Sequence, residues 1–253
     1  MNIFSKTRPC RHTVAFLFVM TFVALVGACT GVRKPVEGER VLQHTVEQGE
    51  TLESIANEYY ADADRAGEIA RFNNVDSDAV RGGDVLRIPV TPSEMASLER
   101  REHARGPYNR GLELVERGSY LDAASAFREA LEMDPDFAEA HYNLGVTYQQ
   151  LKSYDRAAQQ FKKATRLRPR HVEYRYATGG AYFYLNRYHD AIKWFRKTLE
   201  LAPRHLKAQY SLAVAYERDA RPGKAHRAWQ RYLELDSTSD WAAEARQRLE
   251  LLE

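Results

Sequence analysis

The apolar residues of the segment 43–90 follow a helical spacing first and an extended spacing later. One helical face is formed by apolar residues three and four positions apart: Leu52, Ile55, Ala56 and Tyr59. Thr51 precedes this face and is a residue type that caps helix N-termini. A second helix, which Asp62 or Asp64 can cap, is predicted to carry Ile69, Ala70, Phe72 and Asn73. Short strands are predicted at 45–46 and 85–88. The predicted order is strand, helix, helix, strand.

The motifs of this segment resemble the LysM domain. The residues that carry the resemblance are Val46, Gly49, Glu50, Thr51, Leu52, Ile55, Ala56, Ile69, Asn73, Val80, Gly83, Leu86, Ile88 and Pro89. The resemblance implies binding of N-acetylglucosamine polymers, such as peptidoglycan, in a shallow groove between two loops. It assigns that groove to Gly49, Glu50, Thr51 and Leu52 on one side and to Asn74, Val75 and Val80 on the other. For Leu52 and Val80, core packing is the alternative.

Residues 104–239 repeat a unit of 34 residues four times, at 104–137, 138–171, 172–205 and 206–239. Position eight is small throughout: Gly111, Gly145, Gly179 and Ala213. Position twenty is alanine, at Ala123, Ala157, Ala191 and Ala225, and position 24 is aromatic, at Phe127, Phe161, Phe195 and Trp229. This pattern predicts two antiparallel helices in each unit, with small residues where the helices approach closely. The segment 221–223 interrupts the fourth unit, so an irregular inner turn is expected there.

The unit is similar to the tetratricopeptide repeat. The resemblance implies a mainly α fold, in which an α-solenoid of four repeats is closed by a cap helix at 240–253. It also implies a concave groove whose lining includes Tyr108, Tyr142, Tyr176, Tyr210 and Phe183. An aromatic groove suits an extended or helical peptide, although tyrosine at this position is also ordinary repeat packing. Arrays that bind chaperone C-termini carry lysine and asparagine where this chain has Tyr108 and Leu112.

The first thirty residues have the pattern of a targeting segment. Basic residues precede an uncharged apolar run at 13–26, which is shorter than the about 20 residues of a spanning helix. The sequence Val26-Gly27-Ala28-Cys29 resembles the bacterial lipobox, which implies a signal peptide at 1–28 and a lipid on Cys29. An ordinary signal peptide is the alternative. Thr30, where inner-membrane lipoproteins often have aspartate, implies the periplasmic face of the outer membrane.

Two segments remain between these parts and are predicted to be linkers. They cover residues 29–42, between the lipidation site and the LysM-like segment, and residues 91–103, before the repeats. The second combines Pro92 with a run of charged residues. It fits either a stiff helix or a flexible tether.

Composition and charge exclude several classes of function. The chain of 253 residues has 37 basic and 35 acidic side chains, so no strongly basic field favours nucleic acid. Cys10 and Cys29 are the two cysteines, which leaves no thiol for a disulfide, a zinc site or a nucleophile in the folded part. The histidines show no ligand spacing, so neither a metal nor a cofactor is expected. The segment 43–90 carries four arginines against ten carboxylates, a surface that does not suit anionic partners.

These features together predict a lipoprotein without enzymatic activity. It would be anchored to a membrane, bind peptidoglycan through the LysM-like segment, and scaffold envelope proteins through its repeats. An alternative of the same class is an assembly factor that resembles the pilotin lipoproteins of pili and secretion pores. A cell-wall hydrolase is the alternative from another class, but the assigned segments leave no stretch for a catalytic domain.

Overall fold

The computed structural model describes residues 38–76 and 79–252. The chain divides into two compact units, with the boundary between His103 and Ala104. The predicted signal peptide and the lipidation site at Cys29 lie outside the described residues.

The first unit contains a two-stranded sheet and two helices. Its elements are β1 (Arg40–Thr45), α1 (Leu52–Tyr60), a short 3-10 helix (Ala63–Arg65), α2 (Ala66–Asn73) and β2 (Val85–Val90). The strands are antiparallel, with Arg40 opposite Val90 and Thr45 opposite Val85. The order of elements confirms the sequence prediction. However, β1 begins at Arg40, inside the segment that was predicted to be linker, because its pairing with β2 continues to Val90.

The core of the first unit lies between the sheet and the two helices. Its fully buried side chains are Leu52, Ile55, Ala56, Ile69, Ile88 and Val90. Thr51 caps α1, as predicted: its side chain accepts a hydrogen bond from the Ser54 amide (3.2 Å), and Ser54 Oγ accepts one from the Thr51 amide (3.0 Å). This capping box satisfies two amides that the helix itself cannot pair.

Helix α3 (Pro92–Glu116) begins in the first unit and ends in the second. Within the first unit, Met95 and Leu98 pack against the core. The Glu94 carboxylate accepts a hydrogen bond from the Thr91 amide (2.7 Å) and pairs with Arg65. The segment 91–103 is therefore helical from Pro92 onward, which is one of the two alternatives that its sequence allowed.

The second unit is an array of four helix pairs followed by one more helix. The pairs are α3 with α4 (Tyr120–Met133), α5 (Ala138–Gln150) with α6 (Tyr154–Leu167), α7 (Val172–Tyr184) with α8 (Tyr188–Leu201), and α9 (Leu206–Arg218) with α10 (Pro222–Leu235). Helix α11 (Asp240–Glu250) follows them, at the position of the predicted cap. The mainly helical, solenoid-like array confirms the predicted fold class.

The turns inside the four pairs are equivalent, including the one that was predicted to be irregular. A residue with a left-handed backbone recurs every 34 positions, at Gly118, Lys152, Asn186 and Ala220 (φ 76°, 56°, 58° and 53°). The Arg221 amide donates to the Tyr216 carbonyl (3.0 Å), as Ser119 does to Leu114 (2.8 Å) in the first repeat. The prediction for 221–223 was wrong because Pro222 is the first residue of α10, where no amide donor is needed.

The helices of the first three pairs meet where an aromatic ring covers a glycine. A Cβ added to Gly111, Gly145 or Gly179 would lie 2.6, 2.6 or 2.7 Å from the ring of Phe127, Phe161 or Phe195. The four alanines at position twenty are fully buried. The predicted role of the small residues is therefore confirmed: they permit backbone and ring to touch.

Adjacent glycines in α7 provide a test of this contact. Gly179→Ala should lower the free energy of unfolding by about 1–3 kcal/mol, because its methyl group would overlap the Phe195 ring. Gly180 has no atom within 4 Å of an added Cβ, so Gly180→Ala should raise stability by up to about 1 kcal/mol through helix propensity. Urea unfolding followed by circular dichroism measures both. Equal effects of the two substitutions would contradict the assigned contact.

Candidate functional site

Two loops of the first unit are in direct contact beside the sheet. The loop 46–51 joins β1 to α1, and the loop 81–84 precedes β2. The Val46 amide donates to the Asp84 carbonyl (2.8 Å), and the Gly83 amide donates to the Val46 carbonyl (2.8 Å). A Cβ added to Gly82 would lie 3.2 Å from Gln48 Cα. The absence of a side chain at Gly82 therefore lets the two loop backbones pack together.

The Glu50 carboxylate organises the first of these loops from within. Its Oε2 atom accepts a hydrogen bond from the Glu47 amide (2.7 Å) and lies 2.9 Å from His44 Nε2. His44 Nδ1 lies 3.2 Å from the Tyr59 hydroxyl, and the two rings meet edge to face. A neutral His44 that donates through Nε2 accepts from Tyr59 through Nδ1. The side chains of His44 and Glu50 are 12% and 16% exposed. Glu50 therefore serves mainly to order the loop, and little of its carboxylate is accessible to a ligand.

Sequence reasoning did not identify His44 as part of this site. The alternation of inward and outward side chains along β1 could have indicated it. Leu42 and His44 are half-buried, and Val41, Gln43 and Thr45 are exposed. A strand predicted to start at residue 45 hides this alternation. Recognising the earlier start of β1 would have placed His44 on the inner face of the sheet.

Asn73 attaches the end of α2 to β2. Its Nδ2 donates to the carbonyls of Ile69 and Arg87 (2.8 Å each), and its Oδ1 accepts from the Arg87 amide (2.7 Å). The side-chain amide thus pairs with the edge of β2 as a neighbouring strand would. This arrangement gives a physical reason for the asparagine of the motif, and it fixes the start of the loop that begins at Asn74.

The residues predicted to bind glycan are placed differently from one another. Gly49 and Asn74 are exposed and have left-handed backbones (φ 87° and 54°). Val75 and Val80 are half-buried against the core, so part of each apolar surface stays accessible. One prediction needs correction: the Leu52 side chain is fully buried and cannot contact a glycan. The Thr51 hydroxyl accepts the capping hydrogen bond from the Ser54 amide, but Thr51 is exposed, and its place in the groove stays a prediction.

In the repeats, the prediction that Tyr108 lines the peptide groove also needs correction. Its ring is only 5% exposed and packs between Phe127 and Phe137, with centroids 5.8 and 4.6 Å away. Its hydroxyl accepts a hydrogen bond from Asn143 Nδ2 (2.8 Å) in the next repeat. Tyr108 therefore joins two repeats and offers little surface to a peptide.

The other predicted groove residues, Tyr142, Tyr176, Phe183 and Tyr210, are half-buried. Tyr142 stacks on Tyr174 with centroids 5.0 Å apart, and burial raises the pKa of Tyr142 to about 12. The Tyr176 hydroxyl lies 3.3 Å from Ser211 Oγ in the following repeat. Tyr210 meets Trp241 of α11 edge to face at 4.7 Å. These tyrosines pack between successive helices. A protein partner could contact only the parts of their rings that stay accessible.

Within 38–76 and 79–252, no group of histidine, cysteine, aspartate or glutamate has the arrangement to hold a metal ion. In the same ranges, no helix combines the length and the apolar character needed to cross a membrane.

The role of Glu50 can be tested by local hydrogen exchange. In Glu50→Ala, amides of the loop 46–51 should exchange at least about tenfold faster, because a hydrogen bond to a charged group contributes about 1.5–3 kcal/mol. Peptides from 104–239 should exchange as in the wild type. Glu53→Ala is the matched control, since Glu53 is an exposed carboxylate in the first turn of α1. Unchanged exchange in the loop would show that Glu50 does not order it.

Comparison with known proteins identifies both units. A tetratricopeptide repeat family model matches at 108–172, 147–205 and 176–240, which together cover more than half of the chain. A LysM domain model matches residues 44–89. No curated protein matches the chain. Both kinds of domain are typically binding modules without catalytic activity, for glycans in the case of LysM and for proteins in the case of the repeats.

Solved structures share the repeat fold. A MamA protein matches with a TM-score of 0.57 and 23% identity, covering 60% of this chain and 81% of that one. MamA from Desulfovibrio magneticus RS-1 matches with a TM-score of 0.52 and 24% identity, covering 59% and 92%. YrrB, described as having an unusual peptide-binding site, matches with a TM-score of 0.54 and 21% identity, covering 61% and 79%. These likenesses show the fold, and the family matches show that the chain belongs to the tetratricopeptide repeat family and carries a LysM domain before its repeats.

Proposed function

We propose that the chain is a cell-envelope protein that binds peptidoglycan through its LysM domain and presents its repeats to other envelope proteins. The observation that carries the proposal is the LysM match at 44–89 together with the two ordered loops at 46–51 and 81–84. No chemical step is required of the protein. Its effect is to raise the local concentration of its partners at the wall.

The chemistry of the LysM domain favours an uncharged sugar polymer. Ten carboxylates against four arginines in 43–90 would repel an anionic ligand. The loop backbones can offer amides and carbonyls to N-acetyl groups, and the accessible parts of Val75 and Val80 can pack against the acetyl methyl groups. Gly49 leaves open space at its Cα, where a sugar ring can approach the backbone.

The repeat array supplies the second contact. The half-buried rings of Tyr142, Tyr176, Tyr210 and Phe183 are held by packing, so a peptide would meet a preformed aromatic surface. Rigid aromatic side chains lose little conformational entropy on binding. This supports a scaffold whose surface is complete before the partner arrives.

The third contact is the proposed lipid anchor. The lipobox-like sequence 26–29 supports lipidation of Cys29 and attachment to a bacterial membrane, at the periplasmic face of the outer membrane given Thr30. More than one acyl chain is needed for stable attachment, because a single chain binds only marginally. The protein would then bridge membrane, wall and protein partners.

Glycan binding can be tested by co-sedimentation of the full chain with purified sacculi. The wild type should sediment, chitin oligomers should compete, and moderate salt should have little effect because the ligand backbone is uncharged. Gly82→Ala should reduce sedimentation severalfold, because its methyl group would press on the Gln48 backbone and move the two loops apart. Gly180→Ala carries the same change in the repeats and should bind normally.

Two results would contradict this assignment. Folded wild-type protein that stays in the supernatant would show that the LysM domain is not a peptidoglycan receptor. Normal binding by Gly82→Ala would place the glycan away from the contact between the two loops.

The anchor can be tested by the mass and partitioning of the mature protein. The wild type should enter the membrane fraction with a lipidated Cys29 as its first residue, because lipid attachment requires the thiol. Cys29→Ser should remain an unprocessed precursor in the lipoprotein pathway. A mature wild-type chain that begins elsewhere and is freely soluble would rule out lipidation at Cys29.

A further inference from the structure

The second unit contains a cationic pocket of about 420 Å³ between α8, α9 and α10. Four basic side chains surround it: Arg196, Lys224, Arg227 and Arg231. Leu212 and Tyr216 are among the other lining residues, and no lining residue is acidic. The pocket therefore joins a positively charged rim to a partly apolar floor.

Most of this positive charge is not neutralised inside the unit. Arg231 pairs with Glu234 on the same helix, and Lys224 Nζ lies 6.0 Å from the Tyr216 ring centroid. For Arg196 and Arg227, the described part of the chain provides no carboxylate partner within ion-pair distance. Like charges around a concave surface with low-dielectric walls focus the potential and attract anions.

The floor of the pocket is closely packed. Leu212 and Ala228 are 7% and 6% exposed, and Gln209 is 5% exposed. Gln209 Nε2 donates to the Ala228 carbonyl (2.9 Å), which ties α9 to α10 below the charged rim. The concave shape is thus present before a ligand binds, as in most binding pockets.

This pocket is separate from the predicted aromatic groove. Gln209, Leu212 and Tyr216 occupy positions i, i+3 and i+7 of α9 and share one face of that helix. Tyr210 belongs to the adjoining face, where it contacts Trp229 and Trp241. A ligand in the pocket would therefore not occupy the groove.

Basic residues continue beyond the pocket in register with the repeats. Lys193 and Lys197 of α8 precede Arg227 and Arg231 of α10 by 34 residues. Equivalent positions in successive repeats lie on equivalent surfaces of the solenoid. A ligand with several spaced negative charges fits this arrangement better than a single small anion.

We propose that this pocket binds an acidic peptide segment of a partner protein. Carboxylates of the segment pair with Arg196 and Arg227, and an apolar side chain between them covers the accessible part of the Tyr216 ring. Arginine guanidinium groups suit carboxylates because they donate two parallel hydrogen bonds. A peptide is favoured over a membrane because a flat bilayer surface would touch the rim and leave the apolar floor unfilled. The inference extends the proposed function, since it assigns a partner chemistry to a second face of the array.

The test uses the full chain and a fluorescent peptide in which glutamates flank a central phenylalanine. Fluorescence anisotropy should show binding that weakens as salt is raised. A peptide with glutamine in place of every glutamate should not bind. The double variant Arg196→Gln with Arg227→Gln should bind at least about tenfold more weakly, as expected for arginines at the centre of an interface.

The matched control is Lys152→Gln with Arg204→Gln. Both side chains are exposed in turns between helices and lie outside the row of basic residues on α8 and α10, so this double variant has the same net charge as the pocket variant but leaves the pocket and the row intact. It should bind the glutamate peptide as the wild type does. Circular dichroism of both variants verifies that the helices remain folded.

Three results would overturn the proposal. If the wild type did not bind the glutamate peptide, acidic peptides would be excluded as ligands. If both double variants bound the peptide equally weakly, the effect would be one of net charge and not of the pocket. If the Arg196→Gln with Arg227→Gln variant lost binding to phosphatidylglycerol vesicles but still bound the peptide, the pocket would be a lipid-binding surface. Sacculus sedimentation of the pocket variant should stay normal, so failure of this proposal is distinguishable from failure of glycan binding.

Discussion

The repeat array depends on the contact between an aromatic ring and a bare glycine backbone in its first three helix pairs. The rings of Phe127, Phe161 and Phe195 are buried, and each occupies the space that a side chain on the opposing glycine would need. This close approach sets the distance between the two helices of a pair, and the 34-residue period then repeats it. The fourth pair uses Ala213 and Trp229 in the same cluster, with the Trp229 indole donating to Glu217 (2.6 Å). Surfaces on both faces of the array inherit their geometry from these contacts.

The LysM domain is held by polar contacts as much as by its small core. A two-stranded sheet is marginal by itself, and here helix-to-strand hydrogen bonds reinforce it. Asn73 pairs with the edge of β2, and the Tyr60 hydroxyl donates to the Pro89 carbonyl (2.9 Å). Glu50 and His44 then order the loop next to the sheet. The proposed glycan site thus consists largely of backbone that side chains elsewhere in the domain hold in place.

The two units differ in net charge, so they favour ligands of different charge. The LysM segment is acidic, whereas residues 104–253 carry 25 basic and 20 acidic groups. An uncharged glycan meets no barrier at the first unit, and an acidic protein segment is attracted to the second. Under the proposed function, the wall polymer and the protein partner would therefore not compete for one surface.

The sequence by itself determined the number of repeats, the order of elements, the helix cap at Thr51 and the positions where small residues must lie. These features follow from local periodicity and from residue types whose conformational preferences do not depend on distant neighbours. It did not determine that Leu52 and Tyr108 are buried, that β1 starts at Arg40, or that the turn before Pro222 is regular. Nor did the sequence indicate the cationic pocket, because its basic side chains come from α8 and α10, on either side of α9. In each of these cases the outcome depends on contacts between residues far apart in the chain, and only the tertiary structure brings those residues together.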